Sequence, residues 1–169
     1  ILFGKGYALT PKKDLSQPGQ FACVEKVEVV GPKGSLKMSI LGPVRPETQI
    51  AISKTETRTL GIDAPLRMSA DLEGTPGCKI IGPKGEITVD KGVIVAKRHA
   101  HFTPDDAKVF GVTDGQAIQI KLDYNGRSLI FGDVIARVSK TAGLAVHIDT
   151  DEANAAGLTG TVDGEAIIG

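Results

Sequence analysis

Several residue types are scarce in this chain of 169 residues, and their scarcity narrows the classes of protein to which it can belong. The two cysteines, Cys23 and Cys78, are far apart and form no Cys-x-x-Cys pair, which argues against a disulfide framework or a cysteine metal clip. No apolar run approaches the ~20 residues that a membrane-spanning helix needs. Lys plus Arg (20) balance Asp plus Glu (20), and this zero net charge argues against a dedicated nucleic-acid binder.

The start of the chain also lacks familiar features. Residues 1–6 have neither the charged region nor the apolar region of a secretory signal peptide, so we expect a cytoplasmic protein without a membrane partner. The first residue is isoleucine rather than methionine, and we expect a processed or truncated product.

Short runs rich in valine and isoleucine, separated by clusters of glycine, proline, aspartate and asparagine, make up most of the chain. The runs lie at residues 27–30, 80–81, 86–89, 93–95, 118–120 and 134–138. Short strands closed by turns favour a mainly β barrel or sandwich over a βαβ fold. The Asn125-Gly126 step predicts a type I′ turn.

A repeated order of motifs indicates an internal duplication. The repeated motifs are a Gly-Pro-Lys-Gly turn, a helix capping box or its close relative, and a closing glycine, at residues 31–34, 53–56 and 61 and again at 82–85, 103–106 and 111. A capping box marks the start of a helix, and the glycine suits its end. We therefore predict two similar small β-barrels, over residues 1–75 and 76–169, each with short capping helices.

Histidine occurs only three times, and all three positions favour one metal site. His99 and His101 stand two apart at the end of an apolar run, so in a strand both imidazoles project from one face. His147 lies in a second strand-like segment, just before a helix-like one. Three imidazoles with open positions are typical of a catalytic metal centre. Asp149, Asp151 and Glu152 could orient the ligands as hydrogen-bond acceptors.

Arginines supply a second group of candidate residues. Arg45 and Arg67 each follow a turn-forming proline segment, and Arg98 adjoins the histidine pair. The planar fork of arginine matches phosphate oxygens bidentately, and a hydroxyl such as that of Ser69 can add a hydrogen bond. These residues are candidates for binding a phosphate-bearing ligand.

Five stretches of the chain together resemble a known family. They are residues 4–11, 15–22, 42–49, 98–104 and 147–155, which read GKGYALTP, LSQPGQFA, GPVRPETQ, RHAHFTP and HIDTDEANA. The likeness to the PduL-type phosphate propanoyltransferases covers essentially the whole chain.

The resemblance implies a reversible transfer of an acyl group, propanoyl or acetyl, between coenzyme A and phosphate. It further implies two β-barrels in a homodimer, a two-metal zinc site near coenzyme A, and for many members a place in bacterial microcompartments with shell or lumen partners. By position, His99, His101 and His147 match three histidines that hold one metal. Arg45 matches a phosphate-contacting arginine and Ser69 a helper. Residues expected at coenzyme A are Gln49, Arg67 and Arg98.

One departure from the family is visible. Its other metal is held by an N-terminal His-x-His, which would stand before residue 1, and by a glutamate at the position of Ala51, so we expect the protein ligands of that ion to be absent from this chain. Two alternatives stay open: a non-catalytic two-barrel module that binds coenzyme A or metal, and a cupin-like metalloenzyme in which Asp105 follows the histidine pair. No cysteine stands beside a histidine and no Ser-His-Asp pattern is visible, so we expect direct transfer rather than an acyl-enzyme.

Overall fold

The structure, a computed structural model, describes residues 1–169 and is mainly β, as the sequence predicts. Its strands are β1 (Pro11–Asp14), β2 (Phe21–Val30), β3 (Ser35–Gly42), β4 (Ile50–Ala51), β5 (Leu66–Arg67), β6 (Cys78–Gly82), β7 (Gly85–Val89), β8 (Val93–Ala96), β9 (His99–Phe102), β10 (Ala117–Leu122), β11 (Leu129–Val138), β12 (Ala145–His147) and β13 (Glu165–Ile167). Its helices are α1 (Lys54–Leu60), α2 (Pro104–Phe110) and α3 (Thr150–Ala155). None of the three helices is long and apolar enough to cross a membrane.

The first of two compact units comprises Ile1–Leu15 and Gly19–Ala96. Its larger sheet is antiparallel in the order β1-β2-β6-β7, with β3 also paired to β2. Its smaller sheet is parallel, with β8 between β4 and β5. Side chains along β2 alternate between buried and exposed, because successive residues of a strand face opposite ways. The buried core residues are Val27, Val29, Ile50, Ile52, Leu60, Ile62, Ala64, Cys78, Ile80, Val93 and Val95.

The second unit comprises Ser16–Pro18 and Lys97–Gly169. Its sheet has the order β12-β9-β11-β10-β13, in which β9 and β11 are parallel and the other pairs are antiparallel. Its buried core residues are Ala100, Phe102, Ala107, Val112, Ile118, Ile120, Leu122, Phe131, Val134, Ala136 and Ala156. This sheet holds all three histidines, two on β9 and one at the end of β12.

The predicted helix caps are confirmed in both units. The Ser53 hydroxyl accepts from the amide of Glu56 and the Glu56 carboxylate accepts from the amide of Ser53, which is a complete capping box. Thr103 and Asp106 form the same reciprocal pair at the start of α2. Each helix ends at a glycine in the left-handed region, with φ of +71° at the end of α1 and +68° at the end of α2.

The turns confirm the predicted type I′ turn but do not support the predicted duplication. Asn125 and Gly126 both have positive φ, +49° and +71°, as a type I′ turn requires. The two Gly-Pro-Lys-Gly turns join β2 to β3 and β6 to β7, so both belong to the larger sheet of the first unit and do not mark equivalent places in two units. The predicted boundary between residues 75 and 76 lies inside this unit, because β6 pairs with β2. The two similar barrels and their boundaries stay a prediction.

Candidate functional site

Strand pairing in the second unit places the three histidines on one face of the sheet. His99 and His101 are two apart on β9, so their side chains point the same way. His147 on β12 lies directly opposite His99 in the antiparallel register, and directly opposed residues share a face. The ring centroids are 4.8 Å apart for His99 and His101, 5.1 Å for His99 and His147, and 4.9 Å for His101 and His147. The predicted grouping of these residues is therefore confirmed as a histidine cluster.

The surroundings of the histidine cluster keep its imidazoles neutral. Burial, the neighbouring histidines and Arg137 together lower the pKa of His101 to about 4, with burial as the largest cause. Burial is also the main reason why the pKa values of His99 and His147 are lowered, with Arg137 acting in the same sense. Arg137 lies directly opposite His101 in the parallel pairing of β11 with β9. Neutral imidazoles retain the lone pair that a metal ion needs.

Two of the three rings have a hydrogen-bond partner. The Nδ1 atom of His99 lies 2.8 Å from the carbonyl oxygen of Lys97, which can only accept, so Nδ1 carries the proton and Nε2 is free. The Nε2 atom of His147 lies 2.7 Å from the hydroxyl oxygen of Ser16. Ser16 is 131 positions from His147 in the chain, and no local pattern in the sequence indicated it.

The histidine cluster fits a single metal ion. Its potential ligand atoms all lie within 4.8 Å of one another. Ligand nitrogens about 2 Å from a tetrahedral zinc are about 3.4 Å apart, so small side-chain rotations suffice. Three protein ligands leave a fourth position for substrate or water, which is the arrangement of catalytic rather than structural zinc sites.

Arg98 lies beside the acidic residues that cap α3. The Arg98 guanidinium lies 3.2 Å from the Glu152 carboxylate and 5.2 Å from the centre of the Phe131 ring. Glu152 and Asp149 form the capping box of α3, and burial raises the pKa of Glu152. Asp149 and Glu152 are thus engaged in the cap of α3, while Lys97 and Ser16 are the hydrogen-bond partners of His99 and His147.

In the first unit, the structure brings Gln49 and Ser69 together. The Gln49 amide nitrogen lies 3.1 Å from the Ser69 hydroxyl, and the Gln49 oxygen accepts from the backbone amide of Ala70 at 2.8 Å. Gln49 immediately precedes β4 and Ser69 closely follows β5. Ala70 has φ of +78°, in the left-handed region that favours glycine, so this turn holds a strained conformation.

The two other arginine candidates differ in their surroundings. Arg45 is exposed in the segment between β3 and β4. Arg67 is partly buried at the end of β5, where its Nε atom lies 3.7 Å from the Asp71 carboxylate. That Nε atom is buried and has no hydrogen-bond partner, which is costly unless a ligand satisfies it.

Two further positions bear on the alternatives. Ala51 is exposed on β4, and its methyl group offers no ligand atom for a second ion of the kind that the resemblance implies. The residues of this strand therefore do not fit that ion. Asp105 is exposed in the first turn of α2, where it pairs with Lys108 at 3.7 Å, and it is not part of the histidine cluster. Asp105 therefore does not supply the carboxylate that a cupin-like site would add to the histidines.

The fold and the cluster define a mainly β protein with a candidate catalytic metal centre. Residues 1–159 match the family model described as phosphate propanoyltransferase. Among the similar proteins, the phosphate propanoyltransferase of Thermotoga maritima is 53% identical over 156 residues, which are 92% of this chain and 74% of that protein. The enzyme so named from Clostridioides difficile is 53% identical over 163 residues, 95% of this chain and 78% of its own length. The one from Enterococcus faecalis is 52% identical over 159 residues, which are 94% of this chain and 75% of that protein.

This chain belongs to the phosphate propanoyltransferase family. The resemblance drawn from the sequence is therefore confirmed at the level of the family.

Proposed function

We propose that this chain transfers an acyl group between coenzyme A and phosphate, with propanoyl as the first substrate to test and acetyl as the second. In one direction, a phosphate oxygen forms a bond to the acyl carbonyl carbon and the thioester C–S bond breaks. Acyl-CoA plus phosphate thus gives acyl phosphate plus coenzyme A. The observation that carries the proposal is the family match over residues 1–159 together with relatives more than half identical that bear this name.

His99, His101 and His147 are proposed to hold a divalent metal, with zinc as the first choice. Zinc suits neutral imidazole ligands, and it would act as a Lewis acid toward the acyl carbonyl or the thiol of coenzyme A. The cluster supports this proposal because burial and Arg137 favour its neutral state and because the Nε2 of His99 is free. We expect one zinc ion per chain, since Ala51 offers no ligand.

Phosphate binding is proposed for residues of the first unit. Arg45 would neutralise charge on phosphate, with Ser69 as hydrogen-bond donor. Gln49 keeps the Ser69 hydroxyl and the Ala70 amide in place through its two hydrogen bonds. Arg67 is a further candidate, for phosphate or for the phosphates of coenzyme A, because its buried Nε lacks a hydrogen-bond partner. For Arg98, which already pairs with Glu152, contact with coenzyme A stays a prediction.

A thiol-release assay tests the proposed reaction. The purified, zinc-loaded chain is mixed with propanoyl-CoA, acetyl-CoA or butanoyl-CoA, with and without phosphate, and free coenzyme A is measured with a thiol reagent. We expect phosphate-dependent release, and formation of acyl phosphate in equal amount. If a folded, zinc-loaded chain binds coenzyme A but releases none in the presence of phosphate, the non-catalytic module is the better account.

Direct transfer is tested separately by intact mass. The chain is incubated with propanoyl-CoA in the absence of phosphate, and its mass is then measured. We expect no covalent adduct, although Ser16 and His147 lie at the distance of a nucleophile and its base. A chain heavier by one propanoyl group, with the label mapped to Ser16, would replace direct transfer by an acyl-enzyme route.

The assembly and location expected from the resemblance also remain proposals. We propose a homodimer, which light scattering coupled to size-exclusion chromatography would detect as twice the 17.7 kDa of one chain. We propose a cytoplasmic enzyme that works within a bacterial microcompartment. Co-purification with shell proteins from the producing cells would support that location, and a uniformly cytosolic distribution would contradict it.

A further inference from the structure

A serine far away in the chain is held against the histidine cluster. Ser16 lies between β1 and β2, yet Ser16–Pro18 groups with the second unit rather than with its neighbours in sequence. Its hydroxyl oxygen is 2.7 Å from the Nε2 of His147, a short distance for an O···N hydrogen bond. Because two other features hold this segment in place, the contact does not depend on a freely rotating surface side chain alone.

The first of these features is the side chain of Gln17, which is only 5% exposed. Its amide nitrogen donates to the carbonyl of Gly143 at 2.9 Å, and its amide oxygen accepts from the Gly143 N–H at 3.2 Å. This two-point contact satisfies both polar groups of a buried side chain. It joins residue 17 to the stretch that leads directly into β12 and His147.

The second feature is the lack of a side chain at residue 143. A Cβ atom there would lie 2.6 Å from the carbonyl oxygen of Ser16, closer than any ordinary contact. Only glycine lets the Ser16 backbone approach this closely. Gln17 and Gly143 therefore form a clamp, defined by these two residues, that fixes the position of Ser16.

His99 shows what such a contact does for a metal ligand. Its Nδ1 donates to the Lys97 carbonyl, which fixes the tautomer and the ring orientation and leaves Nε2 for an ion. Histidine ligands of metals almost always have a partner of this kind on the second nitrogen. His147 has its own partner in Ser16, on Nε2.

We propose that Ser16 is a positioning residue of the metal centre, whose hydroxyl accepts from Nε2–H of His147, fixes the orientation of the ring and leaves the lone pair on Nδ1. This inference rests on the proposed function, since it assumes that the histidine cluster binds metal. It adds a fourth residue to that centre, one that would act through His147 rather than touch the substrate.

Zinc affinity, measured by competition with a chromophoric chelator, tests the proposal. Loss of an orienting partner typically costs about 10–100-fold in metal affinity, and we expect this rise in Kd for Ser16→Ala. Ser16→Thr keeps the hydroxyl and is expected to retain most of the affinity. Ser128→Ala is the matched control, because it removes an exposed serine hydroxyl that contacts only Asp123 in the same unit. Its Kd for zinc should equal that of the parent chain.

Two glycine variants test the clamp in the same assay. Gly143→Ala should weaken zinc binding, because the added Cβ displaces the Ser16 backbone. Gly132→Ala is its control, since a Cβ there meets nothing within 4 Å. A Gly143→Ala chain that binds zinc as tightly as Gly132→Ala would contradict the clamp.

The tautomer of His147 in the metal-free chain gives a second readout. Long-range ¹H–¹⁵N spectra at neutral pH should show Nε2 protonated in the parent chain and in Ser16→Thr, and a mixture of tautomers in Ser16→Ala. An unprotonated Nε2 in the parent chain would overturn the proposal, as would an unchanged or tighter Kd for Ser16→Ala. If the parent chain binds no zinc at all, the metal centre itself fails, and the spectra alone then decide whether Ser16 fixes the ring.

Discussion

Two segments of the molecule share a local architecture but differ in chemistry. In one, β4 leads into α1, and in the other β9 leads into α2. Both helices have seven residues, begin with a complete capping box and end at a left-handed glycine. Yet β9 presents His99 and His101, whereas β4 consists of Ile50 and Ala51. The caps therefore determine where each helix begins and ends. The residues of the preceding strand determine whether that strand can bind a metal.

The neighbouring strand accounts for the rest of the difference. β9 pairs with β12, which places His147 opposite His99. β4 pairs with β8, whose residues Val93 and Ile94 are fully buried. One strand pair therefore concentrates three imidazoles on a face, and the other only adds to apolar packing. A metal centre needs both the right residues on one strand and a ligand-bearing partner beside it.

Replacing a histidine of β9 should have a much larger effect on activity and zinc content than replacing a residue of β4. We expect His101→Asn to lower the rate of phosphate-dependent acyl transfer by about 100-fold or more, because Lewis-acid catalysis contributes several kcal/mol. Zinc content measured on the same protein should fall as well. Ala51→Ser on β4 is the matched control and should leave zinc content unchanged. Equal rates for His101→Asn and the parent chain would remove the histidine cluster from catalysis.

A smaller effect is expected from the polar residues beside β4 and β5. Ser69→Ala removes a hydroxyl that bonds Gln49, and we expect the KM for phosphate to rise about 10-fold, the equivalent of one hydrogen bond to a charged group. Zinc affinity should not change. Steady-state kinetics with phosphate as the varied substrate measures this. A variant with normal phosphate KM and weakened zinc binding would exchange the roles proposed for the two units.

As the pH falls, the second unit should lose stability before the first unit does. In the metal-free chain, the pKa of His101 is about 4 when folded and about 6.5 when unfolded. Between pH 6.5 and 4 the unfolded chain therefore binds more protons than the folded chain, and the second unit should lose stability over this range. Burial opposes ionisation of Glu25, but hydrogen bonds from Thr10 and Tyr7 outweigh it and lower its pKa to about 2 from about 4.5. The first unit should therefore lose stability at lower pH, between about 4.5 and 2. Hydrogen exchange of peptides from each unit, followed from neutral to acid pH, measures the order. Earlier loss in the first unit would contradict it.

The smallest expected effect is the loss of one helix cap in each unit. Ser53→Ala and Thr103→Ala should each lower the free energy of unfolding by about 1 kcal/mol, the usual value of an N-cap side chain. Both hydroxyls accept from the amide three residues on, so the two losses should be similar. Urea unfolding of the two variants measures them. A large loss for one and none for the other would show that the segments are less alike than their hydrogen bonds indicate.

Local patterns in the sequence predicted local features well. The capping boxes at Ser53 and Thr103, the type I′ turn at Asn125 and the shared face of His99 and His101 all depend on residues within a few positions of one another. Such features follow from backbone geometry and hydrogen bonds to near neighbours, so a single sequence contains enough information to place them.

Features that depend on contacts between distant residues could not be predicted from local sequence patterns. The contact of Ser16 with His147 spans 131 positions and carries no periodic signal. The pairing of Arg98 with Glu152 depends on how α3 is placed, which no local pattern indicates. The repeated Gly-Pro-Lys-Gly turn suggested one copy in each barrel, whereas the pairing of β6 with β2 places both in one sheet.

The histidine cluster is proposed to hold the metal required for acyl transfer, and restoring zinc to the stripped chain is the strongest test of this role. The chain is stripped with a chelator, and the rate of phosphate-dependent coenzyme A release is followed as zinc is added back in small steps. We predict negligible activity without zinc and a rise that reaches a plateau at one equivalent per chain. Full activity of the stripped chain, or a plateau that the His101→Asn variant reaches equally well, would contradict the claim.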